Sequence, residues 1–152
     1  QDRRRWDQLL IRRGLVALAT AQALGGHEGF YALQAAIAAC HARAHRAADT
    51  DWPAIAALYA SLERVAPSPV VALNRAVAVA MAEGPAAGLA LVDALADEPA
   101  LQHYHLLPSV RGDLLQKLGR LPEARAEFTR AAAMTRNTRE KSLLEGRAAA
   151  CR

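Results

Sequence analysis

The stretch from Leu107 to Ala133, LPSVRGDLLQKLGRLPEARAEFTRAAA, limits what this chain can become more than any other. It predicts two short helices joined by a tight turn. Ser109 to Leu118 forms the first, Gly119-Arg120 breaks it, and Pro122 opens the second, where a missing N–H costs nothing. Gly112, Ala124 and Ala131 are small enough for two helix backbones to approach closely. Leu115 and Phe128 fill the space between them. One such hairpin cannot bury its apolar face alone, so neighbouring hairpins are required.

The rest of the chain is suited to supply them. Hydrophobic residues make up 53% of the 152 positions, much of it alanine, with only 5% aromatic. Alanine, leucine and arginine favour helix, and β-branched runs are scarce, so an all-α domain is predicted. The leading helix runs from Asp2 to about Leu24 and ends at Gly25-Gly26. A second helix spans Phe30 to Ala44. Asp51 caps a third with Pro53 in its first turn, and Pro67-Ser68-Pro69 stops it. The fourth, Val70 to Ala82, is apolar except for Asn74 and Arg75, the pattern of a helix sandwiched between others. Gly84-Pro85 leads into a fifth, Ala86 to Ala96. Asn137-Thr138 caps a final helix, Arg139 to Cys151, with a polar outer face.

Tyr59, Leu91 and Phe128 recur at spacings of 32 and 37 residues. The tetratricopeptide (TPR) repeat is about 34 residues long. Arg75 and Arg111 head comparable stretches, each followed by a small residue and then an apolar one (Ala76 and Val79; Gly112 and Leu115). The reading is a TPR-like α-solenoid in one domain, residues 1–152. Its three helical hairpins lie at about 30–66, 69–98 and 103–135, between a leading helix and a C-terminal capping helix. Pro108, Arg111 and Arg136 depart from the usual TPR residues.

Charge and cysteine usage narrow the function. A formal charge of +4 and a pI near 9.6 permit nucleic-acid contact without arguing for it. The densest basic group, Arg3, Arg4, Arg5, Arg12 and Arg13, shares its segment with Asp2 and Asp7 and fits a solvated helix face. Cys40 and Cys151 lie far apart in alanine-rich helices, which fits free thiols. No apolar run approaches a membrane span and no signal-peptide layout opens the chain, so a soluble, cytoplasmic protein is expected. The chain starts without methionine, and a fragment of something longer is expected.

Catalytic constellations are hard to assemble from these residues. His41 and His45 stand four apart beside Cys40, but without the intervening glutamate of a zinc-protease helix, and Cys40 points about 100° away. His103 and His105 fit an ordered turn with Tyr104. Ser68 and Ser109 read as helix-start residues, and no glycine elbow or phosphate loop surrounds a nucleophile. No catalytic, cofactor or metal residue is assigned, and the expectation is a non-enzyme.

What remains is a surface. In stacked helix pairs the first helix of each pair lines the concave side. That places Gln34, His41, Asn74, Arg75 and Arg111 near a common groove suited to an acidic or extended peptide. Alternatively Asn74 and Arg75 bridge neighbouring helices, and Arg111 pairs with Asp113 or Glu127.

Longer motifs carry a resemblance. QDRRRWD, YALQAAIAACHA, DTDWPAIAALYASL, APSPVVALNRAVAVAMAEGPAAGLALVDAL and YHLLPSVRGDLLQKLGRLPEAR together resemble the C-terminal extension of bacterial extracytoplasmic-function (ECF) sigma factors. The resemblance covers Gln1 to about Ala133. Where such sequences commonly read RADLL, this chain has Arg111-Gly112-Asp113-Leu114-Leu115. The resemblance implies a TPR-like regulatory domain acting in transcription initiation. Its partners would be its own upstream sigma regions and RNA polymerase, with a DGPF/YCII-type protein a further candidate. It implies no direct DNA binding by these residues, which lack a basic recognition helix, and no membrane. A small-ligand sensor and a structural dimerisation module are the alternatives.

Overall fold

The computed structural model describes residues 6–152, so the part of the expected leading helix from Asp2 to Arg5 lies outside the described residues. Among the described residues every regular element is helical. The α-helices are α1 (Gln8–Ala23), α2 (Phe30–Arg43), α3 (Trp52–Val65), α4 (Pro69–Glu83), α5 (Pro85–Asp93), α6 (Leu106–Lys117), α7 (Leu121–Met134) and α8 (Thr138–Ala150). Short 3-10 turns sit at Gly26–Glu28, Ala47–Asp49 and Pro99–Leu101. Each helix packs chiefly on its neighbours in the chain, giving a repeat-like stack. None is long and apolar enough to cross a membrane.

Local chemistry sets the helix ends. The Asp7 carboxylate accepts from the backbone N–H groups of Leu9 and Leu10, at 2.9 and 3.0 Å, and so starts α1. Asp51 accepts from Ala54 N–H at 3.0 Å, as its position before Trp52-Pro53 predicts. Asn137 accepts from the N–H groups of Arg139 and Glu140 at the head of α8. Such caps each contribute about 1 kcal/mol by satisfying donors the helix cannot pair itself. Gly119 closes α6 with φ +75°. Its N–H donates to Gln116 O at 3.1 Å and Arg120 N–H donates to Leu115 O at 2.9 Å. This is the paired end of a Schellman turn, which requires left-handed backbone.

Several boundaries differ from the sequence reading. Trp6 and Asp7 precede α1, which starts at Gln8 because the Asp7 side chain caps it, and α5 ends at Asp93 rather than Ala96. Helix α6 begins at Leu106 rather than Ser109. Pro108 falls within its first turn, where no intrahelical N–H is needed, so the proline does not delay the helix. Ser109 is therefore no cap; its Oγ donates to His105 O at 2.8 Å. Helix α2 ends at Arg43, leaving His45 beyond it, so the His41–His45 pair does not share a helix face.

Apolar side chains collect in two adjoining clusters. Leu33, Ile37, Ile55, Leu62 and Ala78 form one between α2, α3 and α4. The other runs from Leu73 and Ala76 through Leu89, Val92, Leu101, Leu107 and Leu115 to Phe128 and Leu144. Helix α4 supplies residues to both, which accounts for its apolar circumference. Phe128 is fully buried, and a Cβ built on Gly112 would lie 2.8 Å from its ring carbons. The glycine exists to admit that ring. In the preceding pair the fully buried residue of α5 is Val92, while Leu91 is only half-buried, as is Tyr59 on α3. The large-residue register read from Tyr59, Leu91 and Phe128 thus slips by one at α5. A Gly84-Pro85 turn joins that helix almost directly to α4 and changes its phase.

Candidate interaction groove

Helices α4, α6 and α8 lie side by side around a shallow groove of about 260 Å³. Val77, Ala80 and Met81 of α4 form one wall, and Ser109, Val110, Asp113, Leu114 and Lys117 of α6 the other. Arg147 of α8 closes one end. Met81 is 46% exposed although it is a large apolar side chain. The groove is therefore an apolar trough bordered by charge.

Its charged border is rigidly tied. Arg147 Nη2 donates to Asp113 Oδ1 at 2.6 Å and to Gln116 Oε1 at 2.7 Å. Its guanidinium also stacks 4.2 Å from the centre of the Phe128 ring. Lys117 Nζ pairs with the other oxygen of Asp113 at 2.8 Å. Burial pushes the Asp113 pKa up, but the hydrogen bonds and charges of Lys117 and Arg147 outweigh it and hold the carboxyl below its ordinary value.

The residues expected to line a groove occupy other places. Arg75 Nη1 pairs with Glu63 Oε2 at 3.0 Å, joining α4 to α3. Arg111 donates through Nε to Asp93 Oδ1 and through Nη1 to Glu127 Oε1, both at 2.8 Å, joining α6 to α5 and α7. Asp113 pairs with Lys117 and Arg147 instead. Asn74 and Gln34 are exposed. His41 is half-buried and meets the Trp52 ring edge-on at 5.4 Å between centroids. None of the five lines the trough.

The reason is angular. Two residues along a helix turn the side chain through about 200°. Val77 and Asp113 each stand two positions beyond Arg75 and Arg111, and Met81 and Lys117 six beyond. The repeat alignment held this signal, but the arginines drew the reading to the opposite side of each helix, where carboxylates of the second helices meet them.

Several other polar groups serve local structure. Asp49 receives both Nε and Nη2 of Arg46 at 2.9 Å, and Asp51 caps α3. Burial pushes the Cys40 thiol up, with Asp51 adding to it and Arg43 opposing, so this sulfur is not activated as a thiolate. His105 Nε2 lies 3.1 Å from Glu140 Oε2, off the direction of a hydrogen bond, while Thr135 Oγ1 donates to that same oxygen at 2.6 Å. Among the described residues no three histidine, cysteine or acidic side chains form a metal-binding group. A second cleft of about 440 Å³ lies between Gln22, Glu28, Leu33, Ala36, Leu58, Ser61, Arg64 and Val65.

Comparison with known proteins adds one relative. An uncharacterized protein of Rhizobium meliloti (strain 1021) is 47% identical over 144 residues, which is 95% of this chain and 33% of that protein. The chain thus spans about a third of its relative's length. No family model and no solved structure matches it.

Proposed function

We propose that this chain is a TPR-like regulatory domain of an ECF-type sigma factor, acting through protein contact rather than catalysis. The observation that carries the reading is the trough between α4 and α6. It runs along the first helices of successive pairs, the side on which helical-repeat proteins receive their partners. Met81 and Val110 offer apolar surface there, and Asp113, Lys117 and Arg147 offer charge at the edge. That combination suits an amphipathic segment of another protein part, with apolar anchors inside and polar residues at the rim.

The identity of the larger system comes from the resemblance of the long motifs to sigma-factor extensions. The length of the relative agrees with a domain that is one part of a larger polypeptide. The partner would be the sigma regions of the same polypeptide, RNA polymerase or a signalling protein such as a DGPF/YCII-type one. The domain would modulate transcription initiation from the cytoplasm without touching DNA itself.

The test is a promoter assay on the full-length protein carrying Met81→Asp and Val110→Asp. Both side chains are partly exposed, so the helices should persist by circular dichroism. Promoter output is expected to change roughly tenfold, the equivalent of about 1.4 kcal/mol in a partner equilibrium. Output unchanged in a folded variant sinks the proposal.

A further inference from the structure

The second cleft opens where the chain leaves α1. That helix packs on α2 far more than on α3. Beyond Ala23 the backbone turns through Gly25, at φ +79°, into the 3-10 turn Gly26–Glu28. A space of about 440 Å³ lies where the end of α1, this turn, α2 and α3 meet. It is larger than the trough between α4 and α6 and shares no residue with it. Small-molecule sites in proteins occupy about 300–1,000 Å³.

The floor of the cleft is apolar and its rim is polar. Leu33 and Ala36 stand three apart on α2, and Leu58 and Val65 seven apart on α3, so each pair shares a helix face. Leu33 is buried, Ala36 and Leu58 are half-buried, and Val65 is 51% exposed. At Ala36 the wall is a single methyl group, where a larger side chain would take up the space. On the rim, Arg64 Nη2 donates to Ser61 Oγ at 3.0 Å within α3. Among the described residues Arg64 meets no carboxylate, whereas Arg75, Arg111 and Arg147 each meet one. A guanidinium carries five N–H donors, so Arg64 keeps several for a ligand.

We infer that this cleft binds a small carboxylic acid with an apolar chain, the carboxylate held by Arg64 and the chain laid on Leu33, Ala36, Leu58 and Val65. A carboxylate accepts two parallel bonds from a guanidinium, and these are stronger than bonds between neutral groups. The chain covers Val65, which is otherwise in water. One arginine, with the acidic Glu28 also lining the cleft, suits a single negative charge better than the double charge of a phosphate monoester. The site stands apart from the trough and does not depend on the regulatory reading.

Isothermal titration calorimetry of the full-length protein with octanoate tests the site. Saturable binding is expected, with octanol and butyrate each weaker by roughly tenfold or more, since one lacks the charge and the other most of the chain. Arg64→Gln should weaken octanoate binding roughly tenfold. Arg64 is exposed, so the fold should persist by circular dichroism. Ala36→Leu, which fills the cleft with apolar atoms, should abolish binding. Arg139→Gln, at an exposed arginine of α8, should leave it unchanged. Absence of saturable binding, or octanol or butyrate binding as well as octanoate, overturns the inference. So does parent affinity in folded Arg64→Gln or Ala36→Leu, or an equal loss in Arg139→Gln.

Discussion

At Gly112 a hydrogen stands where any other residue would place a carbon 2.8 Å from two atoms of the Phe128 ring. The ring is fully enclosed and cannot swing aside. Gly112→Ala should therefore destabilise the protein by about 1–3 kcal/mol through overpacking, despite alanine's better helix propensity. Gly88 is tighter still: its Cβ would lie 2.4 Å from Ala80 Cβ and 2.8 Å from the backbone oxygen of Ala76. Backbone yields less than a side chain, so Gly88→Ala should cost at least as much in urea denaturation. Two glycines that cost equal to or less than an exposed control such as Gly146→Ala would refute this packing. Nearby, Asp113 gives a pH signature. Its folded pKa lies below the ordinary value near 3.9, so its contribution is complete above that value. The contribution is lost as pH falls from there through the folded pKa. Asp113→Asn should lower stability by about 0.5–1 kcal/mol at neutral pH, the pair being partly solvated. It should also flatten the decline of the urea midpoint below about pH 4. An equally steep acid decline in the variant would assign that slope to other carboxylates.

The helices show which features were legible from sequence and which were not. Caps and breaks were plain because their chemistry is local: Asp51, Asn137, Gly84 and Gly119 need only their neighbours in the chain. The sandwiched place of α4 was legible too, since no polar face was on offer. The side of α4 and α6 that faces a groove was not, because an arginine looks the same in sequence whether it meets solvent or a carboxylate. Arg75 and Arg111 find Glu63, Asp93 and Glu127 on helices whose rotation only packing decides. The start of α6 was misplaced for a related reason: Leu107 and Pro108 are buried by long-range contacts invisible to a capping rule. The fastening of α8 is not legible from local sequence. Arg147 ties it to Asp113, Gln116 and the Phe128 ring at once. Its removal should loosen α8 by about 1–2 kcal/mol. Amide exchange across residues 138–150 should then quicken roughly tenfold in Arg147→Ala, with α2 and α3 unaffected. Uniform acceleration along the chain would mean that α8 does not open by itself.

Among the described residues, α4 contributes to both apolar clusters, and contacts run mostly between consecutive helices. In such a stack cooperativity is passed from neighbour to neighbour instead of being shared by one core. The N-terminal cluster is the smaller, and α1 adds a single buried leucine to that end. The end from α1 to α3 should thus open at lower denaturant than the end from α5 to α8, even in a chain short enough for two-state behaviour to be the default. The sequence provides the reporters. Both tryptophans, Trp6 and Trp52, precede α4, so their fluorescence follows the first part, whereas far-ultraviolet circular dichroism follows every helix. The fluorescence midpoint in urea should fall below the circular dichroism midpoint. Substitutions should then act regionally: Asp51→Ala, which removes a cap from α3, should shift the fluorescence curve by about 1 kcal/mol. Gly112→Ala should shift chiefly the later part of the circular dichroism curve. If both probes coincide and both variants move them together, α4 transmits stability fully and the chain is a single cooperative unit. A measured separation would mean that the end bearing α1 is held more weakly than the end bearing α8.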